Sequence, residues 1–200
     1  MPAPLSSTLA AALWPARDAS RPFAAVRAAA LVVAGALALT LSARAQVPFW
    51  PVPMTLQSLV VLAMASALGG RLATAAVALY LVEGALGLPV FAGTPEKGLG
   101  FAYMVGPTGG YLAGFLVAAA VVGHAADRGW DRSAPRLLAV MSVGHALIFA
   151  FGYAWLAMLL GAHVAWTAGV APFALATLVK TLLAAALVAG SWKLVARLRG

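Results

Sequence analysis

Apolar residues fall in six long runs along this chain, at about 27 to 45, 54 to 69, 71 to 89, 108 to 126, 136 to 160 and 172 to 195. A spanning helix needs roughly 20 mostly apolar residues, so the pattern predicts six transmembrane helices in an all-α membrane protein. Two polar, glycine-rich segments stand between these runs, Gly87-Leu-Pro-Val-Phe-Ala-Gly93 and Gly106-Pro-Thr-Gly-Gly-Tyr111. Irregular backbone at membrane depth is tolerated only where protein covers it or where it lines a cavity. The stretch from Gly84 to Phe115 is therefore a candidate binding site.

Composition agrees with the pattern: 64% of the 200 residues are hydrophobic and 9% charged, with a mean hydropathy of +0.97. The expected organisation is a cytoplasmic tail over residues 1–26 and a six-helix transmembrane domain over 27–200, with no soluble domain to carry a separate activity. In the tail, a short apolar piece from Leu9 to Trp14 precedes the arginines, the reverse of a secretory signal, which points to a mobile or surface-lying cytoplasmic segment. Cysteine is absent, which excludes disulfides, thiolate nucleophiles and thiolate metal sites.

The net charge of +8 acquires a meaning from where the basic residues lie. With the N-terminus inside, the inner face receives Arg17, Arg21, Arg27, Arg71, Arg128, Arg132, Arg136, Lys193, Arg197 and Arg199, and the outer face only Arg44 and Lys97. Lys180 lies within a span. This positive-inside bias predicts both termini in the cytoplasm, so the charge reports topology in a lipid bilayer and not nucleic acid as a partner.

On that topology the turn Gly69-Gly70-Arg71 makes a tight cytoplasmic hairpin. The longer loops, Gln46 to Pro53, Leu88 to Pro107 and Gly161 to Pro172, all face outward. The N-terminal ends of the second, fourth and sixth helices converge on the same side. Their free N–H groups and partial positive charge favour an anionic or acceptor-rich ligand.

Several side chains there are candidates for contact. Phe49 and Trp50 sit among three prolines in the first outer loop, as an interfacial anchor or a pocket wall. Gln57, a few residues into the second helix, offers both donors and acceptors, to a ligand or to a neighbouring helix. Gly109 and Gly110 leave backbone uncovered where the fourth helix begins, with Thr108 in its first turn and Tyr111 as an amphipathic wall. The segment is not a nucleotide-binding P-loop, since G-x-x-x-x-G-K-[ST] is missing. Lys180 stands eight residues after Pro172, roughly 12 Å below the outer end of its helix. At that depth it needs a carboxylate, carbonyls or a wet cavity. Thr177 and Phe173 share its face. Glu83 could pair with Lys180, orient the third loop or reach the interface. His124, His145 and His163 do not cluster, no metal set or cofactor motif appears, and neither HExxH nor GxSxG is present, so an intramembrane enzyme and a small channel are the weaker readings.

Four stretches carry a family likeness: Pro51-Val-Pro-Met-Thr-Leu-Gln57, Gly84-Ala-Leu-Gly-Leu-Pro-Val-Phe-Ala-Gly93, Gly106-Pro-Thr-Gly-Gly-Tyr-Leu-Ala-Gly-Phe115, and Pro172-Phe173 followed by Lys180. In this order on a six-helix frame they resemble the BioY family, the biotin-specific substrate-binding (S) components of energy-coupling factor (ECF) transporters. The resemblance begins at about Arg27. It implies a six-helix S-component bundle in the cytoplasmic membrane that takes up biotin, an S component for another vitamin being the alternative. Bound biotin would lie under outer loops one and three. Gln57, Thr177 and Lys180 would serve its ureido ring. Phe49, Trp50, Phe91 and Tyr111 would wall its rings, with Gly93, Thr108 and Gly109 close by. Lys97 or the helix start at Gly106 to Gly110 would meet its carboxylate.

The family usually carries an Asp three residues before the lysine of the sixth helix, where this chain has Thr177. The chain has no ATPase motif, and the resemblance implies an ECF transmembrane coupling protein and ATPase subunits as partners. Ala30, Ala34 and Ala38, at four-residue spacing on the first helix, are the expected docking face. A homo-oligomer is compatible with the pattern.

Overall fold

The computed structural model describes residues 8–15 and 20–199; Arg17 lies outside them. Helix α1 (Leu9–Leu13) precedes α2 (Arg21–Arg44), a short antiparallel pair β1 (Gln46–Val47) and β2 (Met54–Thr55), α3 (Gln57–Leu68) and α4 (Gly70–Ala85). After these come α5 (Gly100–Met104), α6 (Gly109–Asp127), α7 (Ala134–Leu160), α8 (Ala162–Gly169) and α9 (Ala174–Arg199). The six runs of the sequence thus become α2, α3, α4, α6, α7 and α9.

Four stretches are long and apolar enough to cross a bilayer: Arg21–Arg44, Gly109–Asp127, Ala134–Leu160 and Ala162–Leu198. Helices α3 and α4 are shorter, at 12 and 16 residues. The third run extends to residue 89, but α4 stops at Ala85, because the chain turns at Gly87 with φ +92°, a conformation that costs glycine little. Helix α3 starts at Gln57, later than its run, because the residues before it pair as the β1–β2 hairpin, with Gln46 opposite Thr55 and Val47 opposite Met54. The first run expects a start near residue 27, whereas α2 begins at Arg21 with Pro22 in its first turn, where the missing N–H costs nothing.

The helices pack through small residues. The only residue between α3 and α4 is Gly69, with φ +82°, and the Gly70 N–H donates to Asp127 Oδ2 at 3.0 Å. There α6 crosses so closely that a Cβ on Gly123 would stand 2.6 Å from Gly70 Cα. Higher up, a Cβ on Gly114 would stand 2.8 Å from Ile148 Cα of α7. Helix α6 is consequently central, packed on α3, α4 and α7. Helix α1 is not simply surface-lying: Leu9 and Ala12 are buried in the common core, and Arg27 of α2 donates to Ala10 O at 2.8 Å.

The outer loops carry more order than their composition suggests. Loop three contains α5, and loop five is mostly α8. Loop three is also tied down from outside: the Arg44 guanidinium donates to Thr94 O at 3.0 Å and to Pro89 O at 2.5 Å.

Candidate functional site

A cavity with about 580 Å³ of atom-free space, counting its mouth, lies among α3, α4, α6, α7 and α9 beneath outer loops one and three. Its polar end is built from three helices. Gln57 opens α3, is 4% exposed, and donates from Nε2 to Tyr80 OH of α4 at 2.6 Å. Tyr80 OH in turn donates to Val90 O of loop three at 3.3 Å. Thr55 Oγ1 donates to Gln57 Oε1 at 3.2 Å, and Lys180 Nζ of α9 donates to Thr55 O at 2.6 Å. The lysine therefore meets its need at membrane depth with a backbone carbonyl, and among the described residues no ion pair joins it to Glu83.

An apolar and aromatic wall completes the chamber. Tyr111, Leu112 and Phe115 come from α6, Ile148 and Phe149 from α7, and Phe173 from the turn before α9. The rings of Tyr111 and Phe149 meet edge-on at 6.1 Å, and Phe149 and Phe173 stand 6.1 Å apart. Phe49 of loop one joins this row against Phe173, with centroids 6.0 Å apart. The Tyr111 hydroxyl donates to Gly169 O at 2.7 Å, which ties the wall to α8.

The roof is loop three. Ala92 and Tyr103 face the cavity, and Tyr103 OH donates to Ala92 O at 2.8 Å. Burial pushes the Tyr103 phenol's pKa up, partly opposed by the Thr108 hydroxyl, so it remains a neutral donor. A smaller chamber sits outside this roof, lined by Pro51, Lys97, Gly106 and Pro107, and it shares Pro53, Tyr103 and Thr108 with the inner one.

Of the residues singled out from the sequence, Gln57, Thr108, Tyr111 and Lys180 line the main cavity, Lys97 lines the outer chamber and Phe49 backs the aromatic row. The others stand apart from it. Trp50 is 74% exposed. Phe91 is buried between Tyr80 and Tyr103, at 5.3 and 4.8 Å between centroids, in a place open only because residue 84 is glycine. Gly93 has φ +75° and packs on the Lys97 stem. Gly109 lines a groove on the α6–α7 side with Trp155 and Met158. Thr177 is half-buried, and its carbonyl accepts from Thr181 Oγ1 at 2.8 Å. Ala30 and Ala34 are exposed on α2 and Ala38 half-buried, while Gly35, Ala36 and Leu39 face the core.

Tyr80, Phe149, Tyr103 and Thr55 escape the sequence reading: Tyr80 and Phe149 because an aromatic within an apolar run carries no mark of the face it occupies, Tyr103 and Thr55 because loop and hairpin conformation decides where they point. His145, one of the three unclustered histidines, is buried on α7, one turn below Ile148, with Nδ1 2.9 Å from Thr181 Oγ1. No cluster of three or more metal-ligating side chains occurs among the described residues.

Comparison with known proteins adds the following. The family model described as the BioY family matches residues 14–197. The chain is 37% identical over 150 residues to a probable biotin transporter BioY of Pyrococcus horikoshii, covering 74% of this chain and 86% of that protein. It is 32% identical over 157 residues to biotin transporter BioY2 of Lactococcus lactis, covering 76% and 83%. Over 106 residues it is 45% identical to biotin transporter BioY of Thermotoga maritima, covering 53% and 60%. Its fold is similar to the crystal structure of the S-component for biotin from an ECF-type ABC transporter, with a TM-score of 0.76, 21% identity, and coverage of 88% of this chain and 95% of that one.

Proposed function

The chain belongs to the BioY family, and from that premise we propose that it is a multi-pass protein of the cell membrane that captures biotin from the outer side for uptake. The observation that carries this reading is the outward-lying cavity in which Gln57, Tyr80 and Lys180 share one end and aromatic rings line the rest. A ureido group presents one carbonyl acceptor and two N–H donors. The Lys180 ammonium and the Gln57 amide supply donors to that carbonyl, while Gln57 Oε1 and the Tyr80 oxygen accept from the N–H groups. Tyr111, Phe115, Phe149 and Phe173 offer apolar faces to the fused rings, the usual division of labour in small-molecule pockets.

In this reading the valeryl chain runs past Tyr103 and Thr108 toward Lys97, where the outer chamber takes the carboxylate. Phe49 closes the aromatic row. Trp50, Phe91, Gly93 and Gly109 shape the loops and helix contacts, and Thr177 acts on Lys180 from one turn above it. The sequence contains no P-loop motif, so movement across the membrane is assigned to partner subunits, an ECF coupling protein and its ATPases. The face of α2 carrying Ala30, Ala34 and Ala38 is the proposed docking surface, since small side chains let helices approach closely.

Equilibrium binding of labelled biotin to the purified protein, with thiamine and riboflavin as competitors, tests the ligand. Displacement by unlabelled biotin alone is expected. Displacement by either other vitamin, or no biotin binding at all, overturns the assignment.

A further inference from the structure

We propose that Arg44, at the outer end of α2, is a positioning residue for the ligand site: it clasps loop three and thereby sets the two phenols and the amide that face the cavity. The proposal rests on the biotin-binding reading, and Arg44 itself does not line the cavity. Its guanidinium donates to Pro89 O and Thr94 O. Between those two anchors lie Val90 and Ala92, whose carbonyls accept from Tyr80 OH and Tyr103 OH. Tyr80 in turn receives the Gln57 amide at 2.6 Å. A movement of the 89–94 segment therefore shifts both tyrosines and the Gln57 side chain together.

The two phenols and the packing of Phe91 between them hold the middle of that segment, whereas Arg44 holds its two ends, Pro89 and Thr94. Pro89 and Pro95 have no N–H, and both the N–H and the hydroxyl of Thr94 are spent internally on Phe91 O. A planar guanidinium can bridge two carbonyls at once, whereas an ammonium acts as a point charge. The last turn of a helix, where Arg44 stands, also favours a cation.

The experiment uses the full-length protein in nanodiscs as wild type, Arg44→Gln and Arg44→Lys. Hydrogen exchange at the amides of Val90, Thr94 and Lys97 in ligand-free protein reads the clasp, and the dissociation rate of labelled biotin reads its effect on the site. Arg44→Gln should speed exchange in loop three without changing α6 or α7, and should speed biotin release about tenfold. Arg44→Lys should restore part of both, and it decides the matter alone if Arg44→Gln does not fold. Wild-type exchange in the variant sinks the clasp. Faster exchange with unchanged release sinks the positioning role. If wild type binds no biotin, the functional reading falls separately, and unchanged exchange still overturns the clasp.

Discussion

Lys180 Nζ on α9 and the backbone carbonyl of Thr55 on β2 are joined by a hydrogen bond of 2.6 Å, so one ammonium both closes the polar end of the cavity and holds the outer hairpin onto the bundle. A long cationic side chain can run its methylenes along apolar surface while its head finds a polar partner, and here the head reaches the loop carbonyl.

Replacing that lysine removes a charge-assisted donor from the ligand and a tether from loop one. Lys180→Ala should weaken biotin binding by roughly 10- to 100-fold, the range expected for a hydrogen bond to a charged group. Isothermal titration on the purified variant measures it, and equal affinity for wild type and variant would remove Lys180 from the site.

Thr177 is three residues before Lys180 and on the same helical face. Thr177→Asp would set a carboxylate beside the ammonium as an alternative to the Thr55 carbonyl and add an acceptor for a ureido N–H. Biotin affinity should be preserved or tightened, by up to about tenfold. The paired double variant with Lys180→Ala should lose that gain. A Thr177→Asp protein that binds biotin much more weakly than wild type would show that the two positions do not act on one ligand group.

The contrast between Lys180 and Tyr80 shows how much of the site was legible in the sequence. A charge in an apolar run declares itself because burying it alone is costly, and Gln57 was visible for a related reason. Tyr80 lies in an equally apolar run, but a tyrosine there is compatible with lipid, core or cavity, and only packing of α4 against α3 and loop three turns it onto Gln57. The six helices followed from run length alone. Phe91 and Trp50 did not follow, since loop conformation decides their positions: Phe91 folds back over Gly84, while Trp50 ends in the open. Gly109 was expected to leave its backbone open to a ligand; the groups packed closely on it are Met104 O and Trp155.

Asp131 lies in the turn between α6 and α7, 2% exposed. Its Oδ2 accepts from Trp192 Nε1 at 2.6 Å, while Oδ1 is buried without a partner. Burial raises its pKa above the ordinary carboxylate value, with the Trp192 hydrogen bond opposing. The folded state therefore holds this proton more tightly than the unfolded state does. The resulting stabilisation is complete below the unfolded pKa and is lost as pH rises through the folded value. Asp131→Asn keeps an oxygen for Trp192 and removes the titration, so its thermal midpoint should vary less than that of wild type from about pH 4 upward. An unchanged pH slope in the variant would place that dependence elsewhere.

Lys97 offers the sharpest test of how the ligand lies. Its stem rests on Gly93, where even a Cβ would stand 2.8 Å from Lys97 Cδ, and its exposed head borders the outer chamber that meets the inner one at Pro53, Tyr103 and Thr108. A carboxylate arriving there pairs with an ammonium in contact with water, an interaction of about 0.2–1 kcal/mol. Wild type should therefore prefer biotin over its methyl ester by no more than about fivefold, and rising salt should shrink that preference. Lys97→Met should bring biotin down to the affinity of the ester and leave the ester unchanged. If both ligands lose affinity equally, the lysine supports the loop and the carboxylate lies elsewhere.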